Sequence, residues 1–169
     1  MIRPARPADL PAITAIYNEA IAEGGFTGDL DPLTLEDRRT WLAGFEAPFG
    51  VFVKEVEGTV AGYAALAPYR RGRRAFAGTC ELSYYLGSRH RGAGLGRDLV
   101  AHALAAADAG GFATVLAIIL ACNPRSINLL MKFGFAVSGR LPAVATIQGE
   151  HVDHVYLSRR LVPAREHPE

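Results

Sequence analysis

Apolar residues recur at spacings of three and four through Leu10, Ile13, Ile16, Tyr17, Ala20 and Ile21, a helical stripe that Gly24 and Gly25 terminate. A short strand over Ile2 to Arg6 precedes it. After the polar run T-G-D-L-D-P, a second helical pattern runs through Leu35, Arg38, Trp41, Leu42 and Phe45 and ends before Pro48. The pattern then turns to strands, Val51 to Val56 and Thr59 to Leu66, joined by Glu57-Gly58, a two-residue hairpin signal. A basic loop, Arg70 to Arg74, leads into a third strand, T-C-E-L-S-Y-Y-L, over Thr79 to Leu86. Leu95, Leu99, Val100, Ala103, Leu104 and Ala107 give the next helix a broad apolar face, which stops at Gly110-Gly111. Val115 to Ala121 is apolar and β-branched without alternation, which predicts a strand buried on both faces. Asn123 is a good cap and Pro124 a good first residue for a short helix through Ile127, Leu130 and Met131. Two further strands fill Phe135 to Leu161. The order predicts an α+β domain, a mixed central sheet of about six or seven strands flanked by about four helices.

With 169 residues, half of them apolar, the chain has enough core for one domain, expected over residues 1–162, followed by a loose tail over 163–169, P-A-R-E-H-P-E. The formal net charge of +1 gives no global drive toward nucleic acid, and R-R-G-R-R has only Tyr69 and Phe76 as aromatic neighbours. Apolar runs such as Val115 to Cys122 fall well short of the ~20 residues of a membrane span, so no membrane partner is expected and a cytoplasmic location fits. Cys80 and Cys122 read as small buried hydrophobes rather than a disulfide scaffold, consistent with a reducing compartment.

The densest chemistry lies at residues 89–97, R-H-R-G-A-G-L-G-R. A strand that feeds a helix through glycines presents unpaired N–H groups at the positive end of the helix dipole, and Arg89, Arg91 and Arg97 add charge suited to a phosphate. The alternative is a tight turn with its arginines in water. Two familiar phosphate loops are excluded. Gly96-Arg97-Asp98 stands where a P-loop needs G-K-[S/T]. A dinucleotide G-x-G-x-x-G begun at Gly92 would put its third glycine at Arg97, and Val115 to Ala121 carries no acidic residue.

Arg91-Gly92-Ala93-Gly94-Leu95-Gly96 does match Q/R-x-x-G-x-G/A, and downstream N-P-R-S-I-N-L-L-M-K-F-G-F resembles N-x-x-S-x-x-L-x-x-x-x-G-F. Together with the Y-Y-L strand before the loop, these motifs resemble the GNAT superfamily of N-acyltransferases over Ile2 to about Leu161. The opening I-R-P-A-R-P-A-D-L-P-A-I, the T-C-E-L-S-Y-Y-L strand and Q-G-E-H-V-D-H are most similar to its branch of phosphinothricin acetyltransferases and amino-acid N-acyltransferases. The resemblance implies acetyl-CoA as donor. It implies that the backbone of Tyr84, Tyr85 and Leu86 serves the pantetheine arm and that Arg91, Gly92, Ala93, Gly94, Leu95, Gly96 and Arg97 hold the pyrophosphate. Asn123 would bond the far end of the arm, cap its helix, or do both.

Acetyl transfer needs a neutral amine, and a lysine-like amine with a pKa of about 10.4 is neutral only once in several thousand molecules at pH 7. Glu81 is the lone acid in its strand, and the resemblance makes it the general base. Strand alternation puts Glu81, Ser83 and Tyr85 on one face and Cys80, Leu82, Tyr84 and Leu86 on the other. An edge carboxylate in water or paired with an arginine is the alternative.

Many GNAT enzymes assist thiolate departure with a tyrosine or histidine at the position held here by Leu130, so the usual acid is missing, leaving Tyr84, Tyr85 and Tyr156 as candidates. On the acceptor side, the resemblance implies an aromatic and a threonine-acid-proline run in the loop after the first helix, to which Phe26, Thr27 and Asp31 correspond in part. Arg71 and Phe76 align with substrate positions of the branch, and a carboxylate-bearing amine is expected. The usual K-F/H-G-R/N-W-x-D pattern is replaced by Ile147 to Asp153, which keeps Gly149 and Asp153. His151 and Asp153 share a strand face that His154 does not, and two ligands do not close a metal site, so no metal is expected. The resulting expectation is an N-acetyltransferase for a small-molecule amine, an amino acid or its analogue, and a homodimer is what the resemblance implies, since dimers are common in that branch. Protein or peptide N-acetylation and a non-catalytic acyl-CoA sensor are the rival readings.

Overall fold

The computed structural model describes residues 1–161; the tail expected over 163–169 lies outside them. The elements follow the order β1 (Ile2–Pro4), α1 (Leu10–Glu23), α2 (Leu35–Ala43), β2 (Gly50–Val56), β3 (Thr59–Pro68), β4 (Thr79–Leu86), α3 (Leu95–Ala109), β5 (Thr114–Leu120), α4 (Pro124–Lys132), β6 (Ala136–Ile147) and β7 (Glu150–Arg160). The seven strands form one sheet in the order β1-β2-β3-β4-β5-β7-β6, antiparallel except where β4 runs beside β5.

Strand alternation builds two cores from one sheet. Val51, Val53, Tyr63 and Ala65 pack against Ile13 and Ile16 of α1, with Trp41 and Leu42 of α2 at the margin. On the other face Ala64, Leu66, Cys80, Leu82, Val115, Ala117 and Leu157 meet Leu99, Val100 and Ala103 of α3 and Leu130 of α4. Each such fully buried Val, Leu or Ile contributes roughly 1.5–3 kcal/mol relative to exposure.

The first strand ends at Pro4, two residues short of expectation, because Pro7–Asp9 form a single turn of 3-10 helix. Asp9 holds that turn by accepting from the Arg6 N–H at 2.7 Å and from Arg3 Nη1 at 2.7 Å. The Arg3 guanidinium keeps the Asp9 carboxyl below its ordinary range. Thr34 and Asp37 cap α2 reciprocally, the Asp37 N–H donating to Thr34 Oγ1 at 3.2 Å and the Thr34 N–H to Asp37 Oδ2 at 2.7 Å.

Two readings of apolar sequence need correction. β5 is not buried on both faces: Val115 and Ala117 are buried against α3 and α4, while Leu116 and Ile118 are half-buried on the opposite face. Cys80 is buried as expected, but Cys122 is exposed in the link between β5 and α4, its Sγ 3.7 Å from the Gly25 carbonyl oxygen. Among the described residues no helix is long and apolar enough to cross a membrane.

Candidate functional site

The site begins where two parallel strands part. β4 and β5 pair only over Thr79–Glu81 and Thr114–Leu116, whereas β4 stays paired with β3 as far as Leu86. Beyond Glu81 the backbone groups of β4 that face β5 therefore have no strand partner. Buried backbone groups demand partners, so such an opening suits an extended ligand that supplies them. A cavity of about 310 Å³ fills the opening, lined by Leu82 to Leu86 of β4, Ile118 and Ile119 of β5, the turn before α3 and the first turns of α4.

Glycine is required in that turn for conformational reasons. Gly92 and Gly94 have φ of +86° and +80°, the left-handed region, and a Cβ at either would meet no protein atom within 4 Å. Gly94 is the N-cap of α3 and offers no side-chain acceptor. Among the described residues, the backbone N–H groups of Gly92 through Gly96 find no protein acceptor. They sit at the positive end of a 15-residue helix, an arrangement that favours an anion. Gly96 has another reason to be small: a Cβ there would lie 3.4 Å from side-chain atoms of both Leu86 and Leu129.

The charge around the cavity is one-sided. Arg91, Arg97, Arg125 and Lys132 line it, and among the described residues no acid does. Arg125 and Lys132 carry no motif in the sequence, because only the fold of α4 brings them to the cavity. Arg91 is already engaged. It pairs with Glu23 at the end of α1, donates through Nε to the Leu86 carbonyl at 3.3 Å, and places its guanidinium 4.6 Å from the centre of the Phe26 ring. Arg91 thus ties the glycine turn to the α1–α2 loop, and Arg97 is left as an exposed cation at the rim. Ala93 and Leu95 belong to the turn but lie outside the lining.

Asn123 lines the cavity and also caps α4, its Oδ1 accepting from the Ser126 N–H at 3.2 Å. Tyr84 reaches across to the same turn, with its hydroxyl 2.6 Å from Ser126 Oγ. Leu130 is fully buried in the core and takes no part in the lining.

Glu81 stands just below the opening on the other face of β4, half-buried, and burial raises its carboxyl above the ordinary range against the opposing pull of Arg70. The register carries this face across the sheet from Glu81 to Leu116 and Ser158, and from Ile118 to Tyr156. Since neither α1 nor α2 covers β5, the half-buried Leu116 and Ile118 floor an open surface beside Glu81. This is why an apolar strand is less buried than its sequence suggests.

Next to that floor, Tyr85 is fixed by edge contact with Tyr17 at 4.9 Å and stacking on Tyr63 at 5.4 Å. Thr27 is buried and shares a 2.7 Å hydrogen bond with the Tyr17 hydroxyl, which donates to Asp29 at 2.6 Å. Arg38 is buried beneath them, its guanidinium 3.8 Å from the centre of Tyr17 and 4.7 Å from that of Trp41. Its place in a helical stripe gave no hint of this cation–aromatic cage.

Phe26 reaches the cavity, whereas Arg71 and Phe76 lie outside its lining. Arg71 donates to the Gly44 carbonyl at 3.0 Å, and Phe76 packs edge-on against Tyr69. Asp153 accepts from Arg140 and from the Ala143 N–H, holding the bulge of β6. Among the described residues no group of three potential metal ligands occurs.

The strand that frames the cleft is held in place by a glycine on its neighbour. A Cβ on Gly62 of β3 would fall 2.5 Å from Leu86 Cδ2 and 2.7 Å from the Tyr85 carbonyl oxygen, a backbone atom that cannot rotate aside. A Gly62→Ala variant should lose about 1–3 kcal/mol of unfolding free energy, measured by denaturant titration, as β4 is pushed from its register.

Known proteins share this architecture. Residues 1–136 match the family described as the acetyltransferase (GNAT) domain. YwnH of Bacillus subtilis is 37% identical over 161 residues, covering 95% of this chain and 98% of the relative. The L-methionine sulfoximine/L-methionine sulfone acetyltransferase of Pseudomonas aeruginosa is 34% identical over 169 residues, covering 99% and 98%. A crystal structure of a GNAT superfamily phosphinothricin acetyltransferase from Sinorhizobium meliloti, in complex with acetyl-CoA, superposes with a TM-score of 0.89 at 31% identity, covering 95% of this chain and 88% of that one.

Proposed function

This chain belongs to the GNAT acetyltransferase family, and from that premise we propose that it moves an acetyl group from acetyl-CoA to the primary amine of a small amino acid or amino-acid analogue, with Glu81 as general base. The observation that carries the reading is the opening between β4 and β5, with its free N–H groups and four cations on one side and Glu81 on the other. A thioester threaded through it would have a base and an apolar floor on its far side.

The residues fit acetyl-CoA. Gly92 to Gly96 offer N–H groups to a pyrophosphate, Arg97, Arg125 and Lys132 supply counter-charge, and the unpaired edge of β4 beyond Glu81 can pair with the amide groups of a pantetheine arm. The cavity admits an extended chain, and its backbone N–H donors can stabilise the charge that develops on a thioester oxygen.

On the other face, burial raises the affinity of Glu81 for a proton and brings it closer to the task of deprotonating an ammonium group. Glu81 lies outside the cavity lining, so a water molecule relays the proton. The amine nitrogen then attacks the carbonyl carbon, and the C–S bond breaks with its electron pair passing to sulfur. Arg70 sits close enough to act on the Glu81 charge and is a natural anchor for a carboxylate on the acceptor. The relatives named for phosphinothricin and for methionine sulfoximine support this acceptor class.

The test is release of CoA thiol against free amino acids, methionine sulfone and phosphinothricin analogues, polyamines and short peptides. Turnover confined to the amino-acid group is expected; turnover confined to peptides would replace the proposed acceptor with a polypeptide.

A further inference from the structure

The reaction proposed above, on which this inference rests, ends with a thiolate leaving the cleft, and Leu130 gives it no hydrogen bond. Of the three tyrosines that could serve, the fold removes two. Tyr85 also borders the cavity, but its ring is packed between Tyr17 and Tyr63 on the α1–α2 face, away from α4. Tyr156, register partner of Ile118, shares that face, with its ring against His154. Tyr84 alone of the three stands on the α3–α4 face, where its ring lines the cavity beside α4.

Its position is defined by three contacts. The ring lies beside Gly96, where a Cβ would come within 3.5 Å of it, so the glycine leaves room for the ring against the first turn of α3. The hydroxyl meets Ser126 Oγ at 2.6 Å. Ser126 is itself held at the start of α4 by Asn123. Ser126 and Leu130 are four residues apart on one helix face, so Tyr84 delivers a hydroxyl to the face Leu130 occupies, one turn earlier.

We infer that Tyr84 is a catalytic residue: its hydroxyl, oriented by Ser126, donates a hydrogen bond to the CoA sulfur as the carbon–sulfur bond breaks. The electron pair of that bond goes to sulfur, the amine proton goes to Glu81, and the thiolate takes its own proton from water. Full transfer from the phenol is not required. A thiol has a pKa of about 8.5, and burial pushes the Tyr84 hydroxyl above its ordinary value, so the phenol remains a donor while sulfur carries the charge. With Ser126 as the donor in their 2.6 Å contact, the phenol oxygen is polarised and its own hydrogen is left for the sulfur, and preorganised donors of this kind act where charge develops.

The experiment measures single-turnover acetyl transfer in Tyr84→Phe, Ser126→Ala and a chain carrying ring-fluorinated tyrosine at position 84, with acetyl-CoA affinity measured by calorimetry. Tyr84→Phe should slow transfer by about 10- to 100-fold with affinity changed less than threefold, less than the roughly 10²- to 10³-fold for removal of an oxyanion-hole donor because a thiolate leaves readily. Ser126→Ala, which removes little packing, should slow it by a smaller factor. Fluorination makes the phenol more acidic without removing it, so loss of activity at high pH should begin at lower pH than in the wild type. A Tyr84→Phe rate within twofold of wild type overturns the inference, as does a loss that fluorination leaves without any pH shift, since a ring that only braces α4 is indifferent to its acidity. Absence of acetyl transfer by the wild-type chain to every amine would overturn the underlying function as well.

Discussion

Glu81→Gln is expected to lower kcat by about 10²- to 10⁴-fold, the range for loss of a positioned general base, while acetyl-CoA affinity changes less than twofold. Gln keeps the size and shape of Glu81 but cannot accept the amine proton. Affinity should survive because Glu81 lies outside the cavity lining, which on β4 begins at Leu82. The pH dependence carries the sign of the argument. Burial raises the Glu81 pKa, so the wild-type rate climbs as pH rises through that raised value and the base becomes ionised. The Gln variant should lack this limb and retain only the slope due to the amine itself.

Stability should move the other way. Between the unfolded pKa of a glutamate, about 4.3, and its raised folded value, the native state binds more protons than the unfolded state, so wild-type stability falls as pH rises through that window. Gln has no such titration. Thermal melts should therefore show Glu81→Gln gaining on wild type as pH rises, with the gap closing at acid pH. A variant less stable than wild type only at high pH would mean that ionised Glu81 is held by favourable partners instead of being penalised by burial.

The glycine turn and the Asn123 cap were legible in the sequence because each is local. Glu57 and Gly58 likewise form the expected two-residue hairpin, with φ of +49° and +77°, the two left-handed residues of a type I′ turn. The parting of β4 from β5 was not legible, since it arises from pairing that stops after three residues between strands joined through α3. Its consequence, a half-exposed apolar floor, was misread as a strand buried on both sides. The Tyr84–Ser126 hydrogen bond spans 42 residues, and the Arg91–Glu23 pair spans 68. Composition marks such residues as polar without naming their partners. Thr27 shows the same gap: the loop signature gave it to the acceptor, and the fold engages its hydroxyl with Tyr17. Glu81 stands out in the sequence as the lone carboxylate inside an apolar strand, and the fold leaves it half-buried there.

Gly94→Val should weaken acetyl-CoA binding by about 10²-fold, roughly 2.7 kcal/mol, the scale of losing one or two hydrogen bonds to a charged group. The cost does not come from collision with the protein, since a Cβ at position 94 meets nothing within 4 Å. It has two sources. A φ of +80° is strained for a β-branched residue by about 1–2 kcal/mol, which favours backbone geometries in which the N–H groups of residues 92–96 no longer converge. The new methyl groups also stand at the N-terminus of α3, where an anion would approach. S-acetylpantetheine, which keeps the thioester and the amides but lacks the pyrophosphate, provides the control. Its kcat/KM should fall less than threefold in the variant, because it never uses the cradle. An equal loss with both donors would mean that Gly94 supports the cleft as a whole, and the free N–H groups would then have to find their partner in something other than the pyrophosphate.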